Sequence, residues 1–179
     1  LEGTRGRVIE VSTGLCRVEV DGRTVLCSLR GSLSAEDTGY TNVVAVGDWV
    51  IINLNGYDKG VVEQVLPRRS QLSRPDTFYG HLQHVIVANI DQLLIVASWR
   101  NPHLWPELID RYLITAERNG IAPIICVNKV DLAESSDEVE AAIQPYRDLG
   151  VGIIFTSAER GDGLTDLRER LQGKISVLA

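Results

Sequence analysis

The segment APIICVNKVD, residues 122–131, is the most informative part of this sequence. Its first six residues form an apolar run typical of a strand buried on both faces of a parallel sheet. Similar runs precede and follow it, with helical patterns between them, and this alternation predicts an α/β unit whose parallel sheet is covered by helices. The strands are expected at 92–98, 122–127 and 151–156, with a further one beginning at 175, and the helices at 105–119, 133–149 and 164–171.

The four residues after the central strand, Asn128-Lys129-Val130-Asp131, match the NKxD box of GTP-binding proteins. A carboxylate at Asp131 can accept both the ring N1–H and the exocyclic amino group of guanine. Adenine offers no such pair of donors, and an unpaired carboxylate against it costs roughly 1–3 kcal/mol. Asn128 would tie the loop together and reach the base near N7, and Lys129 would lay its aliphatic stem over the base plane. Ligands of open α/β sheets bind beyond the carboxyl ends of the strands, where this loop lies.

A second short element, Ser157-Ala158, follows the next strand along the chain. In nucleotide-binding proteins of this class, such an element places a backbone N–H, here at Ala158, where it can donate to guanine O6. We therefore predict GTP or GDP as the cofactor, bound by Asn128, Lys129, Asp131, Ser157 and Ala158. The alternative is chance, because a four-residue pattern with one free position turns up in roughly a few per cent of chains of this length.

The sequence holds no phosphate cradle of the form GxxxxGKS or GxxxxGKT. Residues 173–176 (GKIS) match only the end of that pattern, and a helix end followed by a strand explains them better. The residues present can thus hold a base but not a triphosphate, and we predict no catalytic and no metal-binding residue in this chain. A rearranged motif order would place a cradle after the strand that begins at residue 175.

Residues 1–70 carry a different pattern, in which short segments of alternating apolar and polar residues are separated by turn signals such as Asp21-Gly22. Five short antiparallel strands predict a small closed β barrel, with an OB-fold as the first choice and an SH3-like barrel as the alternative. The strands are expected at 6–12, 15–20, 24–29, 48–54 and 60–66. The predicted organisation is a barrel at 1–70, a linker at 71–83 and a partial α/β domain of the GTPase type at 84–179.

The composition is that of a globular protein, because 44% of the 179 residues are hydrophobic, and the net charge is −6. The acidic balance argues against a dedicated nucleic-acid binder, and no DNA partner is expected. Eight arginines nevertheless fall within residues 1–74, which leaves open a charge-balanced surface or a face that contacts phosphates. For the second interpretation, the candidate RNA contacts are Arg30, Arg68 and Arg69.

Cysteine usage and hydropathy point to the cytoplasm. The three cysteines include no CxxC pair, which indicates reduced thiols and not metal ligands. No apolar run reaches the roughly 18 residues that a membrane span needs, and no signal peptide is recognisable, so no membrane partner is expected. The chain begins at Leu1 and contains no methionine, which suggests a partial sequence.

Several short motifs occur in one order along almost the whole chain. They are VGDWV at 46–50, RRS at 68–70, ANIDQ at 88–92, DRYL at 110–113, NKVD at 128–131, SA at 157–158 and GL at 163–164. This series resembles the circularly permuted, small-ribosomal-subunit-dependent GTPases of the RsgA (YjeQ) family. The resemblance implies an OB-fold before a P-loop-GTPase-like domain whose base-binding motifs precede the phosphate cradle.

The same resemblance implies GTP hydrolysis that assists late maturation of the small ribosomal subunit, with that subunit and its rRNA as partners. It also implies Mg²⁺ and Zn²⁺, with ligands outside this chain. We further expect a monomer. The alternative is a non-enzymatic RNA-binding module in which a degenerate G domain serves as a scaffold. A dinucleotide-dependent enzyme is disfavoured, because no GxGxxG follows a strand.

Overall fold

The computed structural model describes residues 3–33 and 39–179, and the chain divides into two compact units, Leu1–Asn89 and Ile90–Ala179. Part of the loop predicted between residues 31 and 46 falls on 34–38 and lies outside the described residues. Within the described part of the chain, no helix combines the length and the apolar character needed to cross a bilayer.

The first unit is built on a closed five-stranded barrel. Its strands are β1 (Thr4–Ser12), β2 (Leu15–Val20), β3 (Arg23–Leu29), β4 (Trp49–Leu54) and β5 (Lys59–Val65). The alternation in the sequence sends every second side chain inward, so that in β2 the residues Cys16, Val18 and Val20 are buried and those between them are exposed. The barrel core is mostly β-branched and includes Val8, Val18, Val20, Val25, Val50, Ile52 and Val62.

The strand order around the barrel is β1-β2-β3-β5-β4, with β4 pairing back onto β1. β3 and β5 run parallel, with Cys27 opposite Gly60, so the expectation of an entirely antiparallel barrel is wrong. The reason is the long segment between β3 and β4, which lets β4 pair with β1 and β5 instead of lying beside β3. This arrangement identifies the OB-fold and excludes the SH3-like alternative.

Residues 71–83 do not form the expected linker. β6 (Gln71–Pro75) lies within this segment and pairs antiparallel with β7 (Gln83–Ala88), which begins at the last residue of the segment. Leu72 and Val85 are buried and give each strand an apolar anchor. Because β7 belongs to the first unit, the division of the chain falls after Asn89.

The second unit contains a four-stranded parallel sheet in the order β10-β9-β8-β11. Its elements are β8 (Gln92–Ser98), α1 (Pro106–Arg118), β9 (Ala122–Asn128), a 3₁₀ turn (Val130–Leu132), α2 (Ser136–Asp148), β10 (Gly152–Phe155), α3 (Leu164–Leu171) and β11 (Ser176–Leu178). The strands and helices match the sequence expectation in type and order and differ only at their ends, whereas the 3₁₀ turn was not predicted. The parallel arrangement brings the carboxyl ends of all four strands to one edge of the sheet.

Apolar side chains on both faces of the sheet pack against helices, as the continuous runs predicted. One face forms a cluster of Leu94, Ile124, Cys126 and Ile154 with Leu167 and Leu171 of α3. α1 packs against β8 and β9, and its buried residues are Ile109 and Ala116. The sheet is therefore held between α1 and α3.

Polar contacts hold the first and last strands of this unit side by side. The Asp91 carboxylate accepts a hydrogen bond from the Ile175 N–H (2.7 Å), and the Asp91 N–H donates to the Ile175 carbonyl (2.8 Å). The Gln92 side-chain amide donates to the Ser176 hydroxyl (2.8 Å) and to the Arg170 carbonyl (2.9 Å). These contacts from the ANIDQ motif fix β11 beside β8.

Candidate functional site

Asn128 ends β9 and joins three neighbouring segments at the carboxyl edge of the sheet. Its side-chain oxygen accepts hydrogen bonds from the Thr156 hydroxyl (3.1 Å) and the Ala158 N–H (3.1 Å). Its carbonyl accepts one from the Trp99 N–H (2.8 Å). Asn128 thus ties the loops after β8, β9 and β10 together, and its side-chain NH₂ group is the part that can donate to a ligand.

Lys129 adopts the left-handed backbone conformation (φ 62°, ψ 35°), which is uncommon for a residue other than glycine. That conformation turns the chain from β9 into the 3₁₀ turn, where the Val130 N–H donates to the Thr156 carbonyl (3.2 Å). The Lys129 ammonium group donates to the carbonyl oxygen of Asn101, in the loop after β8. Because both ends of the side chain are fixed, its aliphatic stem is held in one place.

Asp131 and Ser157 form the polar centre of the candidate site. Ser157 is buried, and its hydroxyl oxygen accepts from the Arg160 N–H (3.2 Å). The hydrogen bond from Ser157 lowers the pKa of Asp131 below its ordinary value, and the nearby cations Arg160 and Lys129 lower it further. Asp131 itself is half-buried. Its carboxylate is therefore ionised at neutral pH, oriented by Ser157 and open to donors from a ligand.

The loop after β10 closes on itself. The Ser157 N–H donates to the Asp162 carbonyl (3.0 Å), and the Gly161 N–H donates to the Ser157 carbonyl (2.8 Å). Gly163 follows with φ +70°, and a Cβ atom there would lie 1.9 Å from the carbonyl oxygen of Phe155. Only glycine allows the loop to approach the end of β10 so closely.

The structure brings the five predicted base-site residues, Asn128, Lys129, Asp131, Ser157 and Ala158, to the ends of two adjacent strands. One detail differs from the expectation, because the Ala158 N–H donates to Asn128, and a base would have to share this donor. Two supporting residues, Thr156 and Asn101, carried no motif of their own. The contact of Asn101 uses a backbone carbonyl, which leaves no side-chain signal in a sequence.

The three candidate RNA-contact arginines have different surroundings. Arg68 donates to both oxygens of the buried Asp48 carboxylate, at 2.7 and 2.8 Å, and only 13% of its side chain is exposed. Arg68 therefore neutralises a buried carboxylate, which is a structural role, and its contact with RNA stays a prediction. Arg30 pairs with Glu63 and keeps 54% of its side chain exposed, and the Arg69 side chain donates to the Asn89 carbonyl (3.0 Å).

The contacts of Asp48 extend into a network that explains three of the short motifs. Its carboxylate also accepts from the Ala45 N–H (2.8 Å). The Asn89 side chain donates to the Gly47 carbonyl (3.0 Å) and accepts from the Arg69 N–H (2.9 Å). The motifs VGDWV, RRS and ANIDQ therefore meet in one hydrogen-bonded cluster of the first unit.

Among residues 3–33 and 39–179, no three or more His, Cys, Asp or Glu side chains come together to hold a metal ion. The zinc implied by the resemblance thus finds no ligand set in this part of the chain. Cys16 and Cys27 lie opposite each other inside the barrel, and burial raises the pKa of their thiols to about 12 and about 11. Such thiols are protonated at neutral pH and are poor metal ligands. Magnesium in nucleotide sites is held largely through phosphates, whose cradle the sequence lacks.

Two solved structures share this architecture. The chain is similar to the crystal structure of YjeQ from Thermotoga maritima, with a TM-score of 0.78 and 32% identity, covering 98% of this chain and 59% of that one. It is also similar to YloQ, described as a circularly permuted GTPase, with a TM-score of 0.74 and 28% identity, covering 99% of this chain and 60% of that one. The chain shares its OB-fold and parallel α/β unit with these two proteins, and this architecture places it in the structural class of the circularly permuted GTPases.

Sequence comparisons narrow this class to one family. The model of the RsgA GTPase family matches residues 65–179, and the chain belongs to that family. The "Small ribosomal subunit biogenesis GTPase RsgA" of Shewanella oneidensis is 38% identical in an alignment of 167 residues that covers 89% of this chain and 44% of that protein. The protein of the same name from Caldanaerobacter subterraneus subsp. tengcongensis is 33% identical over 179 residues, which are 100% of this chain and 56% of that protein. The chain spans about half the length of these curated relatives.

Proposed function

We propose that the second unit binds the guanine base of GTP or GDP through Asn128, Lys129, Asp131, Ser157 and Ala158. The observation that carries this proposal is the placement of Asp131, with its lowered pKa, on the loop after β9 beside the buried Ser157 at the end of the adjacent strand β10. It presents an ionised, oriented carboxylate at the carboxyl edge of a parallel sheet, where ligands of such sheets bind. Membership of a family of GTPases supports the same choice of ligand.

Each group of the site has a chemical task towards guanine. Asp131 accepts the N1–H and the amino group, and adenine would leave it unpaired at a cost of roughly 1–3 kcal/mol. The Lys129 stem, held by the bond to Asn101, covers one face of the base. The Ala158 N–H, shared with Asn128, donates to guanine O6. Adenine carries an amino group at C6, which cannot accept this hydrogen bond.

We further propose that the protein acts as a GTPase, as a monomer in the cytoplasm, during late maturation of the small ribosomal subunit. The names of the relatives from Shewanella oneidensis and Caldanaerobacter subterraneus support this role. The OB-fold supports contact with rRNA, since this fold binds oligonucleotides in many proteins. Hydrolysis would require phosphate-binding and Mg²⁺-binding groups in addition to the base site.

The base site is tested by Asp131→Asn. An asparagine amide can donate to the carbonyl that xanthine carries at C2, whereas aspartate accepts from the amino group that guanine carries there. We expect the variant to bind GDP at least about tenfold more weakly, in line with a loss of roughly 1–3 kcal/mol. We also expect it to bind xanthosine diphosphate (XDP) better than the wild type does. The measurement is an NMR-detected titration with millimolar GDP, XDP and ADP that follows the amides of Lys129 and Ala158.

The matched control is Glu169→Gln, which removes one exposed carboxylate from α3, and it should leave the affinities for all three nucleotides unchanged. Equal GDP affinity in the wild type and Asp131→Asn would refute the base site. A wild-type protein that does not distinguish GDP from ADP would refute it as well.

A further inference from the structure

The outer face of the barrel carries two arginines stacked on a tryptophan, away from the interior core. The guanidinium carbon of Arg5 on β1 lies 4.2 Å from the ring centroid of Trp49 on β4, and that of Arg7 lies 5.8 Å from it. The strand register explains the cluster, because Arg7 is directly opposite Trp49 and Arg5 is the next residue of β1 on the same face. Both distances fall within the range of about 6 Å for cation–π contacts.

Among the described residues, Arg5 and Arg7 have no carboxylate partner, whereas Arg17, Arg30 and Arg68 each pair with one. Among the described residues, neither makes an ion pair or a side-chain hydrogen bond, and Glu19, opposite Arg7 on β2, is not in ion-pair contact with it. The arginines with polar partners are Arg17 with Glu10, Arg23 with the Tyr57 carbonyl, Arg30 with Glu63, Arg68 with Asp48 and Arg69 with the Asn89 carbonyl. No described carboxylate forms an ion pair with either side chain, so the guanidinium N–H groups of Arg5 and Arg7 remain available as donors on this face.

We propose that Arg5, Arg7 and Trp49 form a contact site for the phosphate backbone of RNA. The proposal rests on the proposed function in taking that RNA to be the rRNA of the small ribosomal subunit. The cation–π contact with Trp49 restrains each guanidinium and leaves N–H groups for a ligand, and the guanidinium fork matches the oxygens of a phosphate. Because the stack orders the side chains before binding, less conformational entropy is lost on contact.

The spacing and the stacking both favour phosphates over bases. Arg5 and Arg7 are two residues apart on one strand, about 6.6 Å, so the pair can reach successive phosphates of one RNA strand. Arg5 covers the Trp49 ring at 4.2 Å, so that this ring serves as a platform for the cation and not as a surface for a base. Contacts of this kind position an RNA without reading its sequence.

The test uses the whole chain and measures binding to purified small ribosomal subunits, and to their naked rRNA, over a range of salt concentrations. The logarithm of the binding constant decreases linearly with the logarithm of the salt concentration. For the double variant R5A/R7A, we expect this slope to become shallower by about 1.4, since each phosphate contact on a single strand contributes about 0.7. The double variant R5K/R7K should keep the salt-dependence slope of the wild type, because it keeps both charges. Its affinity should fall several-fold, because an ammonium group neither stacks on the ring nor offers a planar fork of donors.

The control variant R17A/R23A removes the same charge from the same barrel and should leave the slope unchanged within error; thermal melts of all variants check that the barrel is intact. An unchanged slope in R5A/R7A, with wild-type binding intact, would overturn this inference and leave the proposed function standing. A loss of subunit binding without a loss of rRNA binding would overturn it in favour of a protein partner. A wild-type chain that binds neither probe would refute both the inference and the ribosomal role.

Discussion

Replacing Asp48 by alanine should destabilise the first unit by about 3–5 kcal/mol, the cost of orphaning one partner of a buried ion pair. The Asp48 carboxylate is buried and accepts from Arg68 at 2.7 and 2.8 Å and from the Ala45 N–H at 2.8 Å. The substitution leaves Arg68, with only 13% of its side chain exposed, as a cation without a counter-ion. Domains of this kind have total stabilities of about 5–15 kcal/mol, so the loss is a large fraction of the whole.

Hydrogen exchange followed by mass spectrometry measures this loss for each unit separately. Amides of β2 should exchange about a thousandfold faster in Asp48→Ala, since about 1.4 kcal/mol corresponds to a factor of ten, and amides of β9 should be unchanged. The matched control is Glu10→Ala, which breaks the exposed pair of Arg17 and Glu10, whose side chains are 51% and 62% exposed. This control should cost only about 0–1 kcal/mol.

The double variant with Asp48→Leu and Arg68→Met separates the charge from the packing. It removes both ions, and we expect it to recover most of the stability that Asp48→Ala loses. An acceleration of β2 exchange below tenfold in Asp48→Ala, or one equal to that of Glu10→Ala, would contradict the assignment of a stabilising buried pair.

Two other perturbations give equally direct results. In Gly163→Ala the new Cβ would lie 1.9 Å from the Phe155 carbonyl oxygen and must displace it. This variant should therefore weaken GDP binding and shift the NMR signals of the loop after β10. The control Gly173→Ala, at φ +69° with nothing within 4 Å, should change neither GDP binding nor these signals. The Cys16 and Cys27 thiols, with pKa values raised from 9.0 to about 12 and about 11, ionise in the unfolded chain before they do in the folded one. Their contribution to stability is therefore present below pH 9 and is lost as the pH rises above it. Urea midpoints should fall between pH 8 and pH 10.5, and Cys16→Val should reduce that fall; a midpoint independent of pH would contradict the burial of these thiols.

Local patterns predicted the elements of this protein better than they predicted their pairing. The Asp21-Gly22 turn and the alternation of residues 15–20 are sufficient for the β2–β3 hairpin, because a short turn fixes its own register. The parallel pairing of β3 with β5 depends on which side of the barrel β4 occupies, and no short stretch of sequence encodes that choice. β6 was missed because its Pro/Arg/Ser-rich surroundings resemble a linker, and only its pairing with β7 makes it a strand.

The candidate site shows the same division between local and distant information. Asn128 and Asp131 could be predicted as base contacts because their side-chain types and spacing are themselves the signal. Arg68 was assigned to RNA because an arginine on a surface and an arginine that neutralises a buried Asp48 are indistinguishable in a sequence. The stacking of Arg5 on Trp49 was missed for a related reason, since it requires the pairing of β1 with β4.

Because β8 and β11 are neighbours, the same sheet can form when its strands are encoded in a different order along the chain. These two strands are far apart in the sequence of the second unit and neighbours in space. A new connection between them, with a break elsewhere, would leave every pair of opposed residues in the sheet as it is. A molecule bound at the carboxyl edge would meet the same strand ends in either case. Reordering the motifs therefore alters which strand leaves the ribosome first during synthesis, and so the route of folding, while the binding surface is preserved.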